Sequence, residues 1–193
     1  MDDESLRLIM EKALELGAAA SCVVNPRDIT INPEFVEFCK PPQCDAYGAG
    51  GNCPPNVMST EDFDALLSGY TCGVAFKVEA PMAMLLEEEH RFEVIKVLQE
   101  TTARLERFAV GIGFDKARGF AGGSCRRAFC REEEYCEVIE GTGACRNPDM
   151  ARPSLSGVGV NFRELNRKLE WEDRSVGADG EPVGFMIGLV LLG

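Results

Sequence analysis

The stretch Phe185-Met-Ile-Gly-Leu-Val-Leu-Leu192 contains no polar side chain. A strand with one wet face alternates apolar and polar residues, whereas an unbroken apolar run belongs to a strand covered on both faces. FMIGLVLL therefore reads as a buried strand at the centre of a sheet. It is too short for a membrane span, which takes about 20 apolar residues. A strand covered on both sides needs strand neighbours and helices above and below it, and the rest of the chain supplies both.

YTCGVAFKVEA (Tyr70 to Ala80) is β-rich and partly alternating, and reads as a second strand. ASCVV (Ala20 to Val24) and KARGFAGG (Lys116 to Gly123) read as shorter strands, the latter running into a Gly-Gly turn. DITI (Asp28 to Ile31) is a strand or a turn, and SVGADGEPVG (175–184) is turn chemistry. Residues 4–17 place Leu6, Ile9, Met10, Ala13 and Leu14 at helical spacing, with Gly17 as the stop. Ser59-Thr60-Glu61-Asp62 starts a second helix, with Phe63, Leu66 and Leu67 inward and Gly69 at its end. A long helix spans about Met84 to Val110 on an apolar stripe of Phe92, Ile95, Leu98, Leu105 and Phe108. Asn161 and Glu164 form a capping box for a helix through Trp171, with Leu165 and Leu169 inward. Strands alternating with helices predict an α/β (α+β) sandwich, with a mixed sheet of about four or five strands and packed helices. The 193 residues are expected to form a single domain, 1–193, without repeats or linkers.

The net charge is −12 and the pI about 4.6. Such a surface repels phosphate backbones and anionic lipid, so nucleic acid and membrane are excluded as partners. The N-terminus opens on acids rather than on a basic segment and an apolar run, so no targeting signal is read and a cytoplasmic protein is expected. Thiols stay reduced there, and clustered cysteines point to metal binding or redox chemistry rather than to structural disulfides. Nine cysteines is also an odd number, which no full set of intrachain disulfides can use.

Seven of the nine fall in two Gly- and Pro-rich loops, at about 38–56 and 122–154. The first holds Cys39-x4-Cys44-x8-Cys53, followed by Pro54-Pro55. The second holds Cys125-x4-Cys130-x5-Cys136-x8-Cys145, followed by Arg146-Asn147-Pro148. Irregular, Gly-rich backbone can wrap a point at which several thiolates converge. Iron–sulfur clusters take thiolates, commonly four, and hydrogen bonds to their sulfurs. Gly122-Gly123, before a helix start at Ser124, offers N–H groups and the positive end of a helix dipole. Arg126, Arg127, Arg131, Arg146 and Arg152 lie in or beside the second loop and would offset a cluster's negative charge. The spacings match neither the bacterial ferredoxin run nor the paired C-x2-C halves of a zinc ribbon. Count and clustering, rather than spacing, favour one [4Fe–4S] cluster or two, with zinc as the alternative.

Two structural questions stay open at this level. If the residues after Ser124 form an unbroken helix, Cys130 and Cys136 cannot share a face. Either that helix breaks or one of the two is not a ligand. The loops either hold separate sites, the three-cysteine set being completed by Cys22, Cys72 or a non-cysteine ligand, or they meet in one.

The early motif Cys39, Cys44, Tyr47-Gly48, Cys53-Pro54-Pro55 is joined by a later one. That one comprises Gly113-Phe114, Lys116-Ala117, Phe120, Gly122 to Cys125 and Cys145 to Ser154. Together they resemble the DUF2284 family of predicted metal-binding proteins over about residues 36–162. The resemblance implies a cysteine-ligated metal site, foremost a [4Fe–4S] cluster, and implies no particular reaction.

Other residues carry plainer readings. Cys22 and Cys72 lie among apolar neighbours and read as small core residues. His90, the one histidine, follows three glutamates and reads as exposed. Tyr47 anchors a turn. Gly111-x-Gly113 does not follow a strand, so no dinucleotide fingerprint is read, and no Ser/His/Asp or Cys/His arrangement can be assembled. The expected protein carries a metal centre for electron transfer, or serves as a redox accessory subunit, and meets a redox partner protein. The rival readings are a structural zinc interaction module and an enzyme with an open iron site. Whether it is an enzyme, and its oligomeric state, are left open by the sequence.

Overall fold

The computed structural model describes residues 3–171, 175–177 and 180–193. Helix α1 (Asp3–Glu15) leads into strand β1 (Ala20–Val24). Two 3-10 segments, Pro26–Asp28 and Pro33–Cys39, and a run of turns carry the chain through the first cysteine loop. Helix α2 (Thr60–Leu67) and strand β2 (Cys72–Pro81) follow, then helices α3 (Met82–Leu86) and α4 (Glu88–Gly111) and strand β3 (Arg118–Ala121). The second cysteine loop holds two short helices, α5 (Cys125–Phe129) and α6 (Glu137–Glu140). Helix α7 (Phe162–Lys168) precedes strands β4 (Ser175–Val176) and β5 (Pro182–Leu192).

The sheet runs β1-β2-β5-β3, and β4 pairs with the start of β5. β5 is thus central, flanked by β2 along ten residues and by β3 along four. Its side chains alternate between two cores. Val190 and Leu192 join Val74 and Phe76 of β2 beneath α1 and α4, through Ile9, Ala13, Leu98 and Leu105. Ile187, Leu189 and Leu191 face the other way, onto Phe63 and Leu67 of α2, Leu165 of α7 and Leu155. Both faces being covered, the strand has no polar face to show, which explains the unbroken apolar run. The α+β class holds. Every pairing between strands is antiparallel, so the expected mixture of directions is limited to one parallel bridge, Ala121 with Ser154.

Helix starts follow the predicted caps. Ser59 Oγ accepts from Asp62 N–H at 3.0 Å, and Asn161 Oδ1 accepts from Glu164 N–H at 3.1 Å. Two helix extents need correction. The long helix expected from Met84 is broken at Glu87, which is extended at φ −84° and ψ 125°. One straight helix cannot close over the sheet end and also run along its face. The break lets Met82 and Leu85 cover Gly184 while α4 packs on β3 and β5. The last helix ends at Lys168 rather than Trp171, because Glu170 turns the chain at φ 56°. Trp171 then packs edge-on against Phe185, with ring centroids 6.2 Å apart. In the predicted turn at 175–184, Ser175–Val176 pairs with Pro182–Val183, while Ala178 and Asp179 lie outside the described residues. Among the described residues, no helix is long and apolar enough to cross a membrane.

Candidate metal centre

Both cysteine loops fold at the β3 edge of the sheet. Ala121 N–H donates to Pro153 O, Leu155 N–H to Ala121 O, and Ser154 N–H to Asn52 O, which ties the two loops together. They enclose two cavities. Cys125, Cys130, Cys136 and Cys145 line the first, of about 190 Å³. Cys39, Cys44 and Cys53 line the second, of about 370 Å³. The wall between them is two-sided. Gly50, Gly51 and Asn52 face the first cavity, and Cys53 and Pro54 the second. From the other loop, Cys125 and Arg126 face the first, and Gly123, Ser124 and Arg127 the second. The loops therefore meet, as one expected arrangement had it, yet the two cysteine sets stay apart, as the other had it.

The question of Cys130 and Cys136 is answered by a break. α5 stops after one turn and leaves Cys130 at its C-terminal end. Cys136 sits at the N-terminal end of α6, which Gly141 closes at φ 66°. Both thiols can then line one cavity. Glycine brings the first loop onto the second. A Cβ on Gly50 would lie 3.3 Å from Arg126 Cβ and 3.5 Å from Cys125 Sγ, and one on Gly51 would lie 2.9 Å from Val138 Cγ1.

Backbone and amide N–H groups converge on the sulfurs. Asn147 donates its backbone N–H to Cys145 Sγ at 3.4 Å and its side-chain Nδ2 to Cys130 Sγ at 3.3 Å. Asn52 serves Cys125 with backbone and side chain. Burial pushes the Cys136 thiol up, but the N–H groups of Ile139, Gly51 and Val138 together outweigh it, and its pKa falls below the usual value. Burial pushes Cys125 up to about 12, with the neighbouring Cys53 adding to the rise, and pushes Cys53 up to about 11. Cys39 is raised by burial and then by Cys44, and Cys130 by burial against the relief from Asn147.

Not every predicted site residue stands where it was expected. The Gly122 N–H is not free for a cluster, since it donates to Ile187 O at 3.0 Å and extends the sheet. Gly123 turns the chain at φ 82°, where a Cβ would meet Ile95 Cγ1 at 2.7 Å, so it serves the turn. Ser124 is buried against Cys53 and lines the second cavity. Arg146 lines the first cavity, held by Glu137 at 3.0 Å and Glu133 at 3.3 Å. Arg126 also lines it and donates to Glu133 O. Arg152 is only 8% exposed and is committed to Glu106 at 2.8 Å and to the carbonyls of Pro148 and Ala151. It therefore fixes the loop and supplies no charge to the cavity. Cys22 and Cys72 sit in β1 and β2 and line neither cavity, and exposed His90 pairs with Glu87 at 2.7 Å.

Four residues of the site escape a reading of the sequence. Asn52 and Asn147 were detectable in principle, since each stands within two positions of a cluster-loop cysteine in Gly-Asn-Cys and Cys-Arg-Asn. Gln99 and Glu106 of α4 carry no such signal. The Gln99 side chain accepts from Arg152 N–H at 2.7 Å and donates to Arg152 O at 3.3 Å, clamping the loop beyond Cys145.

Among the described residues, no three Cys, His, Asp or Glu side chains are gathered closely enough to hold one metal ion. Four thiolates on one zinc, with Zn–S near 2.3 Å, would stand about 3.8 Å from each other. The thiols here border cavities instead, and their N–H partners suit sulfur ligands. The donor set fits a thiolate-held metal group. No curated protein and no solved structure matches the chain. Residues 22–192 match the family described as "Predicted metal-binding protein (DUF2284)", a match that spans both cavities, and the chain belongs to that family.

Proposed function

We propose that the protein is an iron–sulfur protein of redox function, with a [4Fe–4S] cluster held by Cys125, Cys130, Cys136 and Cys145 and a second one held by Cys39, Cys44 and Cys53. One observation supports the reading: four thiols border one cavity, with N–H donors directed at their sulfurs. When bound, such a cluster supplies one-electron chemistry. The chain's own residues do the rest. Asn147, Gly51, Val138 and Ile139 stabilise thiolate charge through N–H···S bonds, which also set reduction potential. Arg126 places positive charge beside a ligand set that is negative in an acidic protein, while the charge of Arg146 is already met by Glu133 and Glu137. Phe38 and Val138 are exposed, one at each cavity, which supports the approach of a redox partner protein on this side.

The test is anaerobic reconstitution with iron and sulfide, followed by counts of iron, acid-labile sulfide and zinc per chain and by EPR after reduction. About eight iron and eight sulfide are expected. Cys145→Ser and Cys39→Ser should each remove about half, independently. Stoichiometric zinc without sulfide, or iron indifferent to both substitutions, would overturn the reading.

A further inference from the structure

The second cavity is about twice the volume of the first but has one thiol fewer. Neither Cys22 nor Cys72 reaches it, and Cys125, near enough to Cys53 to be raised by it, faces the first cavity, so three cysteines line the second. Its walls hold two buried polar atoms, one that meets only a thiol and one without a partner among the described residues. Ser124, 6% exposed, has no partner for its Oγ beyond the Cys53 thiol beside it. Arg127 Nε is buried and without a partner. Native structures rarely leave such atoms unpaired without a reason, and an absent ligand is one.

The state of Arg127 sharpens the point. Its Nη2 is engaged by Asp45, while its guanidinium lies over the Phe92 ring at 5.4 Å from the centroid. Asp45 thus takes one half of the guanidinium's Nη2–Nε edge, and the other half is buried without a partner among the described residues. That edge is the fork that binds carboxylates and phosphates through two parallel hydrogen bonds. Arg91 adds a second positive charge to the wall. Beside the polar Gln43, Ser154 and Ser156 and the carboxylate of Asp45, the wall has an apolar part from Ile95, Met186 and Pro54 that suits a carbon stem.

We propose that the second cavity is a binding site for a small organic carboxylate, seated beside the centre held by Cys39, Cys44 and Cys53 and taking hydrogen bonds from Arg127 Nε and Ser124 Oγ. The inference rests on the iron–sulfur reading of this cavity. Three cysteines leave one iron of a four-iron cluster without a protein thiolate, and the second cavity has volume to spare beside them. The apolar wall favours an organic acid over inorganic phosphate, which has no apolar part to bury.

The experiment uses the reconstituted, full-length protein. Acetate, lactate and malonate, with inorganic phosphate beside them, are titrated while the EPR spectrum of the reduced protein is followed. Equilibrium dialysis of labelled malonate gives binding directly. A saturable spectral change with at least one carboxylate is expected. Arg127→Leu should weaken it about ten- to a hundredfold, the worth of one charge-assisted hydrogen bond, and Ser124→Ala less, both at unchanged iron content. Should Arg127→Leu fail to fold or load, Ser124→Ala and the dialysis carry the test. Full iron content, halved by Cys39→Ser, with no response to any carboxylate would overturn the inference and leave the cluster reading standing. A response to phosphate alone would overturn it too. Iron content unaffected by Cys39→Ser would overturn both.

Discussion

Two thiols of the first cavity are predicted to differ in reactivity once metal is stripped from the reduced protein. Cys125 is 9% exposed and its pKa is pushed to about 12 from an ordinary 9.0, first by burial and then by Cys53. At pH 7.5 that is about a thousandfold less thiolate than an ordinary cysteine carries, and the thiolate is the nucleophile. A more basic thiolate attacks disulfides faster, with a Brønsted coefficient of about 0.4–0.5, which returns about 15- to 30-fold. The net expectation is attack slower by about 30- to 60-fold, before any steric shielding. Cys136 goes the other way. Burial would raise it, but the N–H groups of Ile139, Gly51 and Val138 prevail, so it reacts faster than an ordinary thiol. The assay is a time course with an aromatic disulfide under anaerobic conditions, read by mass spectrometry of the Cys125 and Cys136 peptides. A urea-unfolded sample, in which the two should react alike, serves as control. Cys125 reacting within about threefold of Cys136 in the folded protein would refute the argument that burial governs one thiol and N–H donors the other.

Three further outcomes follow from the geometry. Because Cys53 and Cys125 are protonated at neutral pH without metal and must lose those protons to ligate, the metal content reached on reconstitution at limiting metal should rise with pH and fall on acidification; a flat profile between pH 6.5 and 8.5 would contradict this. Glu106→Leu leaves buried Arg152 uncompensated and should cost about 3–5 kcal/mol in urea unfolding, with weaker metal retention by the loop that Arg152 fixes; a change below about 1 kcal/mol would show that Gln99 alone holds the loop. Gly188→Ala would drive a methyl into the Phe76 ring and to within 2.8 Å of Thr102 Oγ1, and should destabilise by about 1–3 kcal/mol or more, measured the same way.

What the sequence discloses here is what local chemistry decides. The apolar run at 185–192, the caps at Ser59 and Asn161 and the gathering of seven thiols are each visible within a short window, because periodicity, capping and clustering are short-range. The direction of strand pairing is not, since β5 reads the same beside parallel or antiparallel neighbours. The break at Glu87 is hidden for a related reason: nothing in LLEEEH forbids helix, and the packing of Met82 and Leu85 over Gly184 decides it. In the site, the ligand candidates are legible as residue types, but their division between two cavities is not. Gln99 reads as one more polar position on a helix, and its partner Arg152 lies 53 residues further along. The Gly122 N–H goes to Ile187 rather than to a sulfur, a choice made by the sheet and not by the Gly-Gly pair.

The two-sided wall has an electrical consequence. Ser124 and Cys125 are neighbours in the chain, as are Asn52 and Cys53, yet each pair divides between the cavities, and Cys53 lies near enough to Cys125 to help raise its pKa. Two charged guests on either side of one backbone layer would not act as independent electron stores. An electron placed on one would make the next harder to place on its neighbour, and the penalty is mutual by thermodynamic necessity. Salt in the bulk screens little across so thin and buried a partition. A doubly loaded chain would therefore fill in two separated voltammetric waves, and a ligand drawn to one chamber would move the wave of the other.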